Sequence, residues 1–180
     1  MNRQELKDTI ARRVAEGFDR QADIVESAMD AGEEKPDKAL VKKMITDAFA
    51  AHKKAQTTWR GRTDCDRLDA AFDDLEKDGI VARQNFTCCQ SCGSYEIGDE
   101  IDAAKKKGAV IGYTFYHQQD TESAADGCGL YLLYGALKAK DAKRVAKAIV
   151  GALKGAGLKT TWDGDLGTRI LVEMNWKKRR

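Results

Sequence analysis

The stretch Ile80-Val81-Ala82-Arg83-Gln84-Asn85-Phe86-Thr87-Cys88-Cys89-Gln90-Ser91-Cys92-Gly93 decides how the rest of the chain is read. Its first half is a strand signal: β-branched and aromatic residues favour extended backbone, and the far end turns polar. Its second half places three of the chain's five cysteines within five positions. A helix precedes it. Cys65, Leu68, Phe72 and Leu75 recur at helical spacing, Thr63 or Asp64 can cap the first turn, and Gly79 can end the last in a left-handed conformation. That spacing points Cys65 inward as a small buried thiol. A weaker helical pattern follows from Ser94 to Lys107, with Ile97 and Ile101 inward and Gly108 as its stop.

Further along, Val110 to His117 is apolar on both faces and reads as a central strand. Gln118 to Gly127 reads as a polar loop, and Cys128 to Tyr134 as a second buried strand. Asp141 can cap a helix whose inward face is Val145, Ala148, Ile149, Ala152 and Leu153. Thr160 to Trp162 and Arg169 to Trp176 are two more strands around an Asp-Gly turn, the last with one wet face carrying Arg169, Glu173 and Asn175. The order predicts an α+β domain over residues 58–180: a mixed sheet of about five strands with helices on one face, in a ferredoxin-like split β-α-β arrangement.

The first 57 residues read differently. Leu6, Ile10, Val14 and Phe18 recur every four positions, and Ile24, Val25, Ala28 and Met29 continue the stripe after a break at Gly17. Residues 31–35 read as a loop, and Pro36 suits the first turn of the next helix. That helix carries Leu40, Val41, Met44, Ile45, Ala48, Phe49 and, at its end, His52 in a half-buried packing role. The prediction is a helical hairpin over residues 1–57, offering an amphipathic surface for a protein partner or for self-association.

Bulk properties narrow the class. A chain of 180 residues with 42% hydrophobic and 33% charged residues is an ordinary globular composition, not a disordered one. A net charge of +2 supplies no field that would demand nucleic acid or an anionic membrane. The basic end, Lys177 to Arg180, reads as a solvated tail. No signal-peptide core opens the sequence and no apolar run approaches the roughly 20 residues of a membrane span, so the expected address is cytoplasmic. There, five cysteines read as thiols, metal ligands or redox partners instead of a disulfide framework.

Four phrases carry a resemblance: Thr63-Asp64-Cys65-Asp66-Arg67-Leu68, Asn85 to Gly93, His117-Gln118-Gln119-Asp120-Thr121-Glu122, and Gly129-Leu130-Tyr131-Leu132 before Tyr134-Gly135. Together they resemble a bacterial domain family of unknown function, over about residues 58–176. The resemblance implies one recurring module and no activity, substrate or cofactor.

Three readings of the cysteines stay open: packed thiols, zinc ligands and a thiol-redox pair. Cys89-Gln90-Ser91-Cys92 has the spacing at which two thiolates grip one zinc ion, with Cys65, His117 and Cys128 as the further candidate ligands, the last two joined by a loop that could bring them together. The same C-x-x-C after a strand and at a helix start would lower a thiol pKa, and Cys92, just before Gly93, is expected to gain most. Alternation along an extended segment sends Cys88 and Cys89 opposite ways, so only one should join Cys92. Asp120 and Glu122 could serve with His117 as an acid–base pair or as ligands. Against that, Asp120 could simply cap a helical turn. Whether the chain catalyses anything is left open.

Overall fold

A computed structural model describes residues 2–30 and 36–180. The expected loop at 31–35 lies outside the described residues. Two compact units are found. One is drawn from residues up to Thr63 together with Lys177–Arg180, and the other is Asp64–Trp176.

In the first unit the helix over residues 2–30 is broken at Gly17, as the sequence suggested. Helix α1 (Arg3–Glu16) starts on an Asn2 cap closed by Glu5, and ends at Gly17, whose φ of 91° is left-handed. Helix α2 (Gln21–Met29) and helix α3 (Lys38–Gln56) complete the unit, with the Asp37 side chain capping α3. Pro36 therefore sits just before the cap instead of inside the first turn. Leu6, Ile10, Val14, Ile24, Ala28, Val41 and Ile45 form a core of their own. The stripes read in the sequence are spent on each other.

The basic end of the chain belongs to this unit and is no solvated tail. The guanidinium groups of Arg179 and Arg180 lie 5.8 and 4.6 Å from the Trp59 and Phe49 ring centres, and the Lys178 ammonium 5.2 Å from that of Phe18. The Lys178 carbonyl meets the His52 ring nitrogen Nε2 at 3.0 Å. Quadrupole attraction to three rings explains why four charged residues at a chain end fold back. His52 also packs edge-on to Trp59 at 5.5 Å, the packing role its position suggested.

The second unit opens with helix α4 (Asp64–Lys77), which buries Cys65, Leu68, Phe72 and Leu75 as their spacing predicted. Then follow β1 (Ile80–Arg83), α5 (Gln90–Lys105), β2 (Gly112–Phe115), α6 (Gln118–Ala125), β3 (Leu130–Ala136), α7 (Ala142–Gly155), β4 (Lys159–Thr161) and β5 (Ile170–Glu173). A short 3₁₀ turn, Ala139–Asp141, leads into α7. The five strands form one mixed sheet in the order β1-β2-β3-β5-β4. The α+β class is as expected.

Two details differ. Strand β1 pairs directly with β2, in parallel, Ile80 opposite Gly112 and Arg83 opposite Phe115. A split β-α-β unit would place another strand between them, so the arrangement is not ferredoxin-like. Nor are the helices confined to one face. Gly112 lies against α7, where an added Cβ would come within 2.8 Å of Val145. The neighbouring positions, Val81 and Phe115, pack instead with Ile97 and Ile101 of α5. Side chains alternate across a sheet, so α5 covers the face opposite α7. The apolar run at 110–116 is accordingly buried from both sides.

Candidate functional site

The cysteine loop owes its position to strand pairing that outlasts β1. Tyr116 N–H donates to the Arg83 carbonyl at 3.3 Å, Phe86 N–H to Tyr116 at 2.8 Å, and Gln118 N–H to Thr87 at 3.1 Å. Residues 84–87 therefore run beside 116–118, which carries the cysteines to the start of α6. Two residues along this path adopt left-handed backbone, Asn85 with φ 48° and Thr87 with φ 60°. Such conformations cost a non-glycine residue on the order of 1–2 kcal/mol. Local bonds hold them: the Thr121 hydroxyl donates to the Asn85 side-chain amide oxygen Oδ1 at 2.8 Å, and the Thr87 hydroxyl to the Cys89 backbone carbonyl at 3.2 Å.

These turns overturn the alternation expected of Cys88 and Cys89. The segment is not extended, and the ligand atoms of Cys88, Cys89 and Cys92 all lie within 4.8 Å of one another. The Cys88 and Cys92 sulfurs are 3.5 Å apart. Cys88 is exposed and the other two are partly so. Tetrahedral zinc with bonds of about 2.3 Å holds its sulfurs roughly 3.8 Å apart, so small side-chain rotations would complete three corners of such a shell. The cluster could hold a metal ion.

Helix α5 begins earlier than the sequence suggested, with Cys89 as its N-cap and Cys92 already inside the first turn. This reverses the expected roles of the thiols. The unpaired N–H groups of a first turn point back at the cap, and their influence, that of Cys92 foremost, lowers the Cys89 pKa. Cys92 is pushed up to about 11, because its thiol is bonded to Cys88 and Cys89, whose negative charge would oppose its own. Gly93 makes the placement possible: a Cβ there would fall 2.5 Å from the Phe115 ring.

What read as a polar loop after His117 is helix α6. His117 is its N-cap: ring nitrogen Nδ1 accepts from the Asp120 N–H at 3.3 Å, and the Asp120 carboxylate accepts from the His117 N–H at 3.1 Å. The same carboxylate oxygen lies 3.1 Å from His117 Nε2 and 2.7 Å from Arg169 Nη2. An accepting Nδ1 fixes the neutral tautomer with its proton on Nε2, facing Asp120. Burial holds the His117 pKa below its ordinary value, with Asp120 pulling the other way and Arg169 adding to the depression. Asp120 and His117 thus satisfy each other as a buried cap. Glu122 accepts from the Gln118 side chain at 3.2 Å, and Cys128 is exposed beyond the helix.

Among the described residues, the close group of possible ligands contains the three cysteines, and neither His117 nor Cys128 is in it. The residue that sequence reasoning missed is Arg169, assigned there to a wet strand face. Its guanidinium bridges Asp120 and the Tyr131 carbonyl, each at 2.7 Å, and lies 5.6 Å over the Tyr131 ring. Nothing local in the sequence announces a contact across 49 positions. A separate concavity of about 450 Å³ borders the free edge of β1, where Arg83 is already paired with Glu76 and Glu100.

These observations define an α+β chain with a three-cysteine cluster at the start of a sheet-packed helix. The chain belongs to the family described as a domain of unknown function (DUF6891), whose model matches residues 1–180. The match takes in the N-terminal helices, which the resemblance read in the sequence left out. No curated protein and no solved structure matches the chain. No helix among the described residues is long and apolar enough to cross a membrane.

Proposed function

We propose that Cys88, Cys89 and Cys92 form a metal centre, with zinc as the ion. The observation that supports it is the approach of three sulfurs within 4.8 Å on one five-residue segment, held by strained backbone at Asn85 and Thr87. Soft thiolates favour zinc over the hard cations, and the positive end of α5 eases the build-up of negative charge. Three protein ligands leave one corner of a tetrahedron open, to be filled by water or by His117 or Cys128 after rearrangement. Metal analysis of tag-free protein tests this. One equivalent of zinc, lost together with protection of the three cysteines when a chelator is added, is the expected result. Protein free of metal, with cysteines equally reactive before and after chelator, would refute it.

A thiol-redox role has one observation of its own, the asymmetry between Cys89 and Cys92. A thiolate at Cys89 could attack a disulfide, and Cys92 or Cys88 could resolve the mixed disulfide. Incubating the reduced chain with a small-molecule disulfide and mapping the cysteines afterwards would test it. A bond between two cysteines of the cluster supports the role, and stable adducts alone oppose it. A protein-interaction role for the N-terminal helices gains less support. Their apolar residues pack internally, and the large exposed hydrophobics, Tyr95, Tyr131, Leu137 and Leu166, all lie in the other unit.

A further inference from the structure

We infer that the three-cysteine cluster also captures a trivalent metalloid hydroxide, of which arsenite is the simplest, as a three-coordinate thiolate complex. The inference rests on the ligand-cluster reading above and concerns which ions the cluster accepts.

Three features of the site point to it. First, the donor count is three, since no fourth His, Cys, Asp or Glu joins the group among the described residues. The neighbouring candidates are engaged: His117 and Asp120 cap each other, with Arg169 on the Asp120 carboxylate, and Glu122 holds Gln118. Second, the three sulfurs crowd one side of a helix start, Cys88 and Cys92 at 3.5 Å, while the cluster faces solvent through the exposed Cys88. A pyramidal centre with three bonds and a lone pair fits such a cup without a fourth ligand. Third, the complex is neutral. Three thiolates around a trivalent centre carry no net charge, whereas around zinc they carry one negative charge.

The reaction balances without any further reagent. Each of three As–O bonds breaks as an As–S bond forms, and each departing hydroxide leaves as water with one thiol proton. Arsenic stays trivalent and no electrons move. The product is held by three bonds at once, so losing any one cysteine forfeits the advantage of closing the second chelate ring.

The test uses the full-length reduced chain, freed of metal, with arsenite or zinc added, then cysteine alkylation and peptide mapping. One arsenic per chain, with Cys88, Cys89 and Cys92 all protected and Cys128 still alkylated, is the expected result. Protection should resist a carboxylate chelator and yield to a small dithiol. In Cys88→Ser, arsenite retention should weaken by about tenfold or more, roughly 1.4 kcal/mol per tenfold. Because Cys88 is exposed, that variant tests binding and not folding. If zinc protects all three cysteines but arsenite protects only two, or if Cys88→Ser holds arsenite as well as the parent chain, the metalloid inference is wrong and the zinc reading survives. If neither ion protects any cysteine, both fall together.

Discussion

The Cys88 and Cys92 sulfurs lie 3.5 Å apart, a contact that raises the Cys92 pKa, while the first-turn backbone of α5, Cys92 foremost, lowers that of Cys89. The first-turn backbone of α5 favours a thiolate at Cys89. The Cys92 thiol, pushed up to about 11, accepts from Cys88 and feels the charge of both neighbours. Alkylation of the metal-free chain should therefore modify Cys89 at lower pH than Cys92. The expected midpoint for Cys89 lies below that of an unperturbed thiol. Peptide mapping across a pH series checks the order, and Cys92 reacting first would show that the helix starts elsewhere.

Gly93 is the hinge between this cluster and the sheet. An alanine there would press its Cβ against Phe115, itself buried on the α5 face with Val81, Ile97 and Ile101. Overpacking of this kind typically costs about 1–3 kcal/mol. Gly93→Ala should lower the denaturation midpoint accordingly. An unchanged midpoint would mean that α5 can shift away from the sheet freely.

His117 sets a pH dependence. Its folded pKa lies below the unfolded value of about 6.5, so the unfolded chain binds the proton more readily. Stability is then complete above about pH 6.5 and declines as pH falls towards the folded pKa. His52, also depressed by burial, adds to the same slope. His117→Asn keeps a good capping residue while removing one titrating group, so the slope between pH 6.5 and the acid limb should become shallower. An identical slope in the variant would place the His117 ring in contact with water.

Removal of Lys177–Arg180 tests the other unit. Three cation–ring contacts at about 0.5–1 kcal/mol each predict a loss of roughly 1.5–3 kcal/mol. Denaturant unfolding of the chain ending at Trp176 gives the comparison. No loss would return these residues to the solvated tail their sequence suggested.

How much was legible in the sequence follows from how local each signal is. The helical spacing of Cys65, Leu68, Phe72 and Leu75 is a property of fourteen consecutive residues, and it placed α4 and its buried thiol correctly. The strand at 112–115 announced its two-sided burial by having no polar face. Pairing order is non-local, and a direct β1–β2 pair and a split one share the same run of strands. The helix at 118–125 was hidden because its N-cap is a histidine, outside the usual set of small polar residues, and its surface is polar. The convergence of Cys88 with Cys92 depends on left-handed backbone at Asn85 and Thr87, which neither residue requires. Arg169 reaches Asp120 only through the fold.

The central claim, a thiolate metal centre at Cys88, Cys89 and Cys92, is tested most directly by X-ray absorption at the zinc edge on tag-free, full-length protein loaded with one equivalent of zinc. The account predicts a sulfur shell at about 2.3 Å fitted by three scatterers, which falls to two in Cys88→Ser. A first shell of oxygen and nitrogen alone, the same in the parent chain and in the variant, would contradict it.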